Sequence, residues 1–393
     1  MTTRSNPTIA LVSTFPPTVC GIASYSASLV AALTTEQGGP LGRPGVVRLI
    51  DGPARSTGPS VDFQHRTGDL ASLRRAAAVL NTYETVSIQH EFGIYGGRDG
   101  AEVLDLMSRL TVPAAATLHT VLSDPSSHQQ AILEGICDLA ERIIVMSETA
   151  SNRLVDRYGI DPSQISVIAH GADPEFGGPS LVTGDRPLIL TWGLIGPGKG
   201  LESAIEACAD LADMKPLPRY RIVGATHPNV RRNSGEKYRE GLMELTSSLG
   251  LGEMVEFDDR YLSRGDLARL VRRADLVLLP YESYEQVTSG VLVEAIAASK
   301  PVVATAFPHA VELLSGGAGA VVPFGEPHLL AAEVRRILSD SESRMMMGQR
   351  AHQLAAEWYW PTVAGHFATV MSDIAAIGRL ISTSTHIRQR AAG

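Results

Sequence analysis

The chain has 393 residues, too many for one core and enough for two large domains. Charged residues make up 19% and apolar residues 44%, the balance of an ordinary folded protein, which excludes disordered and fibrous classes. A net charge of −8 without a basic stripe argues against a nucleic-acid partner, and three cysteines (Cys20, Cys137, Cys208) lacking CxxC or histidine-linked spacing point to a reducing, cytoplasmic setting.

The apolar run after residue 7 is too short for a signal peptide, and no segment approaches about 18 uninterrupted apolar residues. Peripheral contact with a bilayer stays open, because a surface helix docks without spanning. Between residues 8 and 170, short β-branched runs at 9–12, 46–50, 86–89, 114–118, 142–145 and 165–168 alternate with helical patterns. Such alternation predicts βαβ units around a parallel sheet covered on both faces. This first domain is drawn as 1–172, and the Gly/Pro-rich segment 173–187 is read as a linker. A second series at 188–192, 220–223, 255–257, 276–279, 302–304 and 320–322 then gives a second domain, 188–355. The fold class is α/β, two tandem Rossmann-like doubly wound domains, whose ligands are expected at the carboxyl ends of the strands and between domains. From about residue 326 the pattern is helical, with 382–393 read as a flexible tail.

The segment Tyr284-Glu285-Gln286-Val287-Thr288-Ser289-Gly290-Val291 leads into a helix that carries Glu294 one turn in. Ser289 and Gly290 at a helix start leave first-turn N–H groups for an anion, and Glu294 could accept hydrogen bonds from a ribose diol. A capped amphipathic helix with one surface glutamate is the plainer reading. Gly193-Leu194-Ile195-Gly196-Pro197-Gly198-Lys199-Gly200 nearly spells a P-loop but fails at Gly200, where a hydroxyl would hold Mg²⁺. It suits a diphosphate held by backbone N–H groups and Lys199 without a metal; the plainer alternative is a tight turn with a surface lysine. Gly21, after the first strand, would let a phosphate approach a helix start, while Cys20 beside it reads as a small buried residue.

His90 (with Glu91 beside it), His119 and His170 fall at strand ends, and His227 follows a fourth strand. Each is equally readable as a cleft residue or a satisfied structural histidine, and their dispersal over separate βα units argues against a metal site.

Together, Gln89-His90-Glu91-Phe92-Gly93-Ile94-Tyr95-Gly96-Gly97, the 193–200 loop, Gly224-Ala225-Thr226-His227-Pro228 and Thr288 through Ala295 resemble the retaining GT-B glycosyltransferases of family 4, in a mannosyltransferase-like subgroup. The resemblance spans nearly the whole chain. It implies a C-terminal helix (356–381) crossing back to the first domain, donor binding mainly on the second domain, and closure of the two. Lys199, with Gly196 and Gly198, would then neutralise the donor diphosphate and Glu294 would bind the ribose. The amides from Thr288 to Val291 would hold the distal phosphate and sugar, His119 would lie beside the donor sugar, and Gly21 would complete the phosphate site. The leaving diphosphate oxygen would itself help deprotonate the acceptor, with no metal or cofactor beyond the donor, GDP-mannose or another nucleotide-diphosphate hexose. The acceptor would be a glycan, a lipid-linked glycan or a small molecule.

Two positions depart from the family. Gln286 stands where the first of two glutamates eight residues apart is usual, so an amide replaces a carboxylate. Leu194 replaces an arginine partner of the lysine. These departures keep a catalytically impaired nucleotide-sugar-binding protein as an alternative, with a P-loop-like hydrolase behind it. Base, acceptor and oligomeric state are not written in the chain.

Overall fold

In the computed structural model, residues 6–34, 38–53, 60–178 and 184–391 are described, with side chains through 379. The chain divides into two units, one of residues 1–169 with 360–393, the other of residues 170–359.

The first unit is built on seven parallel strands, β1 (Ile9–Ser13), β2 (Gly45–Ile50), β3 (Phe63–Arg66), β4 (Thr85–His90), β5 (Ala114–Leu118), β6 (Arg142–Val145) and β7 (Ile165–Val167), in the order β3-β2-β1-β4-β5-β6-β7. Every residue of β1, β2, β4 and β5 is buried, as a parallel strand sandwiched by helices requires. The one strand absent from the hydrophobic reading is β3. Its sequence Phe-Gln-His-Arg carries a single apolar residue, and it forms an edge, paired only through β2. The order reverses between β1 and β4, where Val12 pairs Ile88, and a doubly wound sheet opens its crevice at that point.

Six parallel strands make the second unit: β8 (Leu188–Trp192), β9 (Arg219–Val223), β10 (Val255–Asp258), β11 (Leu276–Leu279), β12 (Val302–Thr305) and β13 (Gly319–Val322), ordered β10-β9-β8-β11-β12-β13. Here the reversal lies between β8 and β11, where Leu190 pairs Val277. Apolar cores fill both faces of the sheet, around Leu292, Ile296 and Phe307 on one and around Leu201, Ile205 and Tyr220 on the other.

Segment 173–187 begins inside the second unit. Asp173 caps the short turn Pro174–Phe176, and Phe176, 2% exposed, lies in that unit's core; residues 179–183 fall outside the described ones. The last helix, Trp360–Ala391, belongs to the first unit. Its Trp360, Val363, Phe367, Met371 and Ile374 join the core of β1 and the helix Gly21–Leu33. It stays helical through Ala391, past residue 382 where a tail is expected. Among the described residues no helix is long and apolar enough to cross a membrane.

Candidate functional site

In the second unit the carboxyl ends of β8 and β11 carry the polar loops. The Gly193–Gly200 turn after β8 is bonded to its neighbours: Ile195 N–H donates to Ala225 O at 2.9 Å, His227 N–H to Ile195 O at 2.7 Å, and Glu282 N–H to Gly198 O at 3.0 Å. Gly200 has φ 61°, and a Cβ there would stand 1.8 Å from the Pro280 carbonyl oxygen. Backbone packing therefore dictates a glycine where a P-loop carries its hydroxyl. With Gly200 as N-cap, the helix Leu201–Ala209 starts without a side-chain cap.

Lys199 Nζ lies 4.0 Å from the centroid of the Tyr281 ring, and burial lowers its amine to about 8. His227 caps the helix Pro228–Ser234 by accepting from Asn229 N–H at 3.2 Å. Its pKa is lowered, first by burial and then by the Lys199 charge, so an imidazolium is disfavoured beside the lysine. Gly196 is buried, a Cβ there meeting Val230 Cγ2 at 3.1 Å, whereas Gly198 is exposed.

The helix Gly290–Ala297 follows β11 and the loop from Tyr281 to Ser289. Not all of its N-terminal donors are available. Ser289 Oγ accepts from Leu292 N–H at 3.3 Å, and Ser289 N–H donates to His309 Nδ1 at 2.8 Å. The N–H groups of Gly290 and Val291 have no protein acceptor among the described residues, which narrows the anion-binding amides expected between Thr288 and Val291. Thr288 Oγ1 is buried and likewise has no hydrogen-bond partner. Gln286 is turned onto its own loop: its side-chain Nε2 donates to Thr288 O, and its backbone carbonyl accepts from His309 N–H at 3.2 Å. The His170 ring lies against Gly290, where a Cβ would come within 2.8 Å, and His170 Nδ1 is paired with Gly171 O at 2.8 Å. Burial lowers His170 to about 4 and His309, the more so beside His170, to about 3; both rings are neutral.

Glu294 is half-buried, and its Oε2 accepts from Trp192 Nε1 at 3.0 Å. Enclosure raises its carboxyl to about 7, against the lowering by Trp192 and Arg264. The carboxylate expected for a ribose diol is thus held by an indole that sequence reading passed over, as it passed over His309 and Tyr281. Trp192 and Tyr281 end or follow strands, the placement that singled out the histidines. His309 lies on the helix Pro308–Leu314, where no local signal marks it.

In the first unit, Gly21 opens the helix Gly21–Leu33 and is exposed, with nothing within 4 Å of an added Cβ. Cys20 corrects its expected role. It is half-buried and works as the N-cap, its Sγ accepting from Ala23 N–H at 3.3 Å and paired with Thr14 Oγ1 at 3.2 Å. His119 is oriented from behind: its Nε2 lies 2.9 Å from Gln89 Oε1, while Gln89 Nε2 donates to Ser87 Oγ and Thr117 Oγ1. The Tyr25 ring stands edge-on to it at 4.8 Å. His90 is fully buried between Phe92 and Tyr95, lowered to about 3, with both ring nitrogens lacking hydrogen-bond partners. Burial raises Glu91, whose carboxylate accepts from Gly93 N–H at 2.8 Å. His170, His227, Lys199, Gln286 and Glu294 therefore lie on the second unit, and Gly21, His90, Glu91 and His119 on the first.

The family description "Glycosyl transferases group 1" matches residues 175–354, and "Glycosyltransferase Family 4" matches residues 29–176. A D-inositol 3-phosphate glycosyltransferase of Corynebacterium glutamicum is 28% identical over 340 residues, 79% of this chain and 76% of that relative. Others of the same name match over 56% and 66% of their own length. Among solved structures, HepE of Anabaena in complex with UDP superposes with a TM-score of 0.73 at 20% identity, covering 93% of this chain and 100% of its own. Sucrose-phosphate synthase of Thermosynechococcus elongatus does so with 0.77 at 18%, covering 94% and 100%. Both show the fold alone. With two adjoining family matches running from residue 29 to residue 354 over two doubly wound parallel sheets, the chain belongs to the group 1, family 4 glycosyltransferases of GT-B fold.

Proposed function

We propose that this protein transfers a hexosyl group from a nucleoside diphosphate sugar to an acceptor hydroxyl with retention at the anomeric carbon. The observation that carries the reading is the grouping on one unit of the Lys199 amine, the unpartnered N–H groups of Gly290 and Val291, and the Glu294 carboxyl. Ammonium and amides match a diphosphate, and the carboxylate matches a ribose diol. As the bond from the anomeric carbon to the diphosphate oxygen breaks, that oxygen gathers charge and takes the acceptor's proton, and the acceptor oxygen bonds on the same face. Lys199 and the amides then act on charge that grows during the reaction.

For the donor, GDP-mannose is the candidate from the subgroup resemblance, and a UDP-sugar is the candidate from HepE, solved with UDP. A phosphorylated polyol of the D-inositol 3-phosphate kind is the acceptor to try first, since the relatives carry that name. A catalytically impaired binding protein is the second reading, favoured by the Gln286 amide being spent on Thr288 O. A P-loop hydrolase finds no support, because the Pro280 carbonyl leaves no room for a side chain at position 200.

The test is nucleoside diphosphate release from a panel of UDP-, GDP- and ADP-sugars, with D-inositol 3-phosphate and simple glycosides as acceptors, with and without EDTA. Acceptor-dependent release that survives EDTA, with an anomerically retained product, supports the proposal. Nucleotide binding without release across the panel supports the binding protein.

A further inference from the structure

We infer that Tyr281 is a positioning residue of the second unit, its ring seating the Lys199 ammonium. The inference rests on the nucleotide-sugar reading and adds a residue to it. Lys199 follows the exposed Pro197 and Gly198, and among the described residues no carboxylate pairs with it. An enclosed ammonium without a carboxylate needs another group that favours its charge, and the face of an aromatic ring is such a group. The 4.0 Å from Lys199 Nζ to the centroid of the Tyr281 ring meets that need. The ring is itself fixed: it is 2% exposed and stacked on Phe307 at 5.1 Å and 29°. The Tyr281 backbone carbonyl accepts from Thr305 Oγ1.

The flanking residues bind the same loop, Pro280 O against Gly200 and Glu282 N–H to Gly198 O. The segment 280–282 thus holds the lysine loop through its backbone on either side and through the buried ring between. Tyr281 sets where the ammonium stands without itself touching the ligand.

The experiment is calorimetric titration of the full chain with UDP and with GDP, on the wild type, K199M, Y281F, Y281L and the double variant Y281L/K199M, with the thermal midpoint of each. Y281L is expected to weaken the better nucleotide about tenfold, the range of a desolvated cation–π contact, and Y281F, which keeps the ring, less than about threefold. In the K199M background Y281L should add almost nothing, because two residues acting through one interaction are not additive. Wild-type affinity in Y281L, or the same loss from Y281L with and without Lys199, overturns the inference. Should Y281L not fold, Y281M, unbranched and still able to fill the site, carries the comparison. If neither nucleotide binds the wild type, the nucleotide-sugar reading fails and this inference with it; if nucleotide binds and K199M weakens it while Tyr281 variants do not, only the inference fails.

Discussion

Gly200 sits with its α-carbon against the Pro280 carbonyl, so Gly200→Ser places a Cβ 1.8 Å from that oxygen at a φ of 61°. The backbone has to move, and a loss of ~2 kcal/mol or more, seen as a lowered thermal midpoint with no gain of metal-dependent hydrolysis, is expected. Unchanged stability would mean the loop is not packed as described. Glu294 and Lys199 make a second prediction. Glu294, raised to about 7, becomes the carboxylate that a ribose hydroxyl needs as pH rises through 7, whereas Lys199, lowered to about 8, loses its charge as pH rises through 8. Donor affinity should therefore peak between about 7 and 8. In Glu294→Gln the acidic limb should vanish while the basic limb stays, which calorimetry across that range reads directly; an unaltered profile would remove Glu294 from the site.

The helix Gly21–Leu33 illustrates how an element separates stability from function. An alanine at Gly21 meets nothing within 4 Å and sits at a helix start capped by Cys20, so Gly21→Ala should leave the thermal midpoint within about 2 °C of wild type. If a phosphate approaches that backbone, the same change lowers kcat/KM for the nucleotide sugar by about tenfold, because a methyl group keeps the anion off the N–H groups. Equal activity would leave Gly21 without a role. The same comparison explains which elements could be read in advance. Strands such as Ala114–Leu118, Leu188–Trp192 and Leu276–Leu279 are buried on both faces and show as unbroken apolar runs. Phe63–Arg66 is an edge strand held by its ladder to β2 rather than by apolar side chains, so hydrophobicity does not reveal it.

At the scale of the whole molecule, His90, His170 and His309 impose a pH dependence on folding. Their folded-state values of about 3, 4 and 3 lie below the value of about 6.5 expected for the unfolded chain, so the unfolded state binds more protons as pH falls. Stability is fully present above about 6.5 and is lost between there and about 4 for His170 and about 3 for His90 and His309, by up to ~1.4 kcal/mol per pH unit for each histidine. Glu294 and Glu91, both raised, work in the opposite sense and offset part of the loss. Chemical denaturation at a series of pH values should show the net fall. His309→Asn, which keeps an acceptor for Ser289 N–H, should flatten it by one proton's worth; an acid limb unchanged in that variant would mean His309 is not held neutral.

Sequence alone determined the two α/β series, the glycine-rich loop with Lys199, the helix start at Ser289 and the carboxylate one turn on, because periodicity, glycine and capping residues act within a few residues of themselves. Tertiary structure decided the groups that meet across strands: the Trp192 indole on Glu294, 102 residues away, the His309 ring on Ser289, the Gln89 amide behind His119, and the Tyr281 ring beneath Lys199. A βα loop announces its own chemistry in sequence. Its neighbour across the sheet is set by strand order, and the order β10-β9-β8-β11-β12-β13, which brings the loops after β8 and β11 together, is a property of the folded sheet.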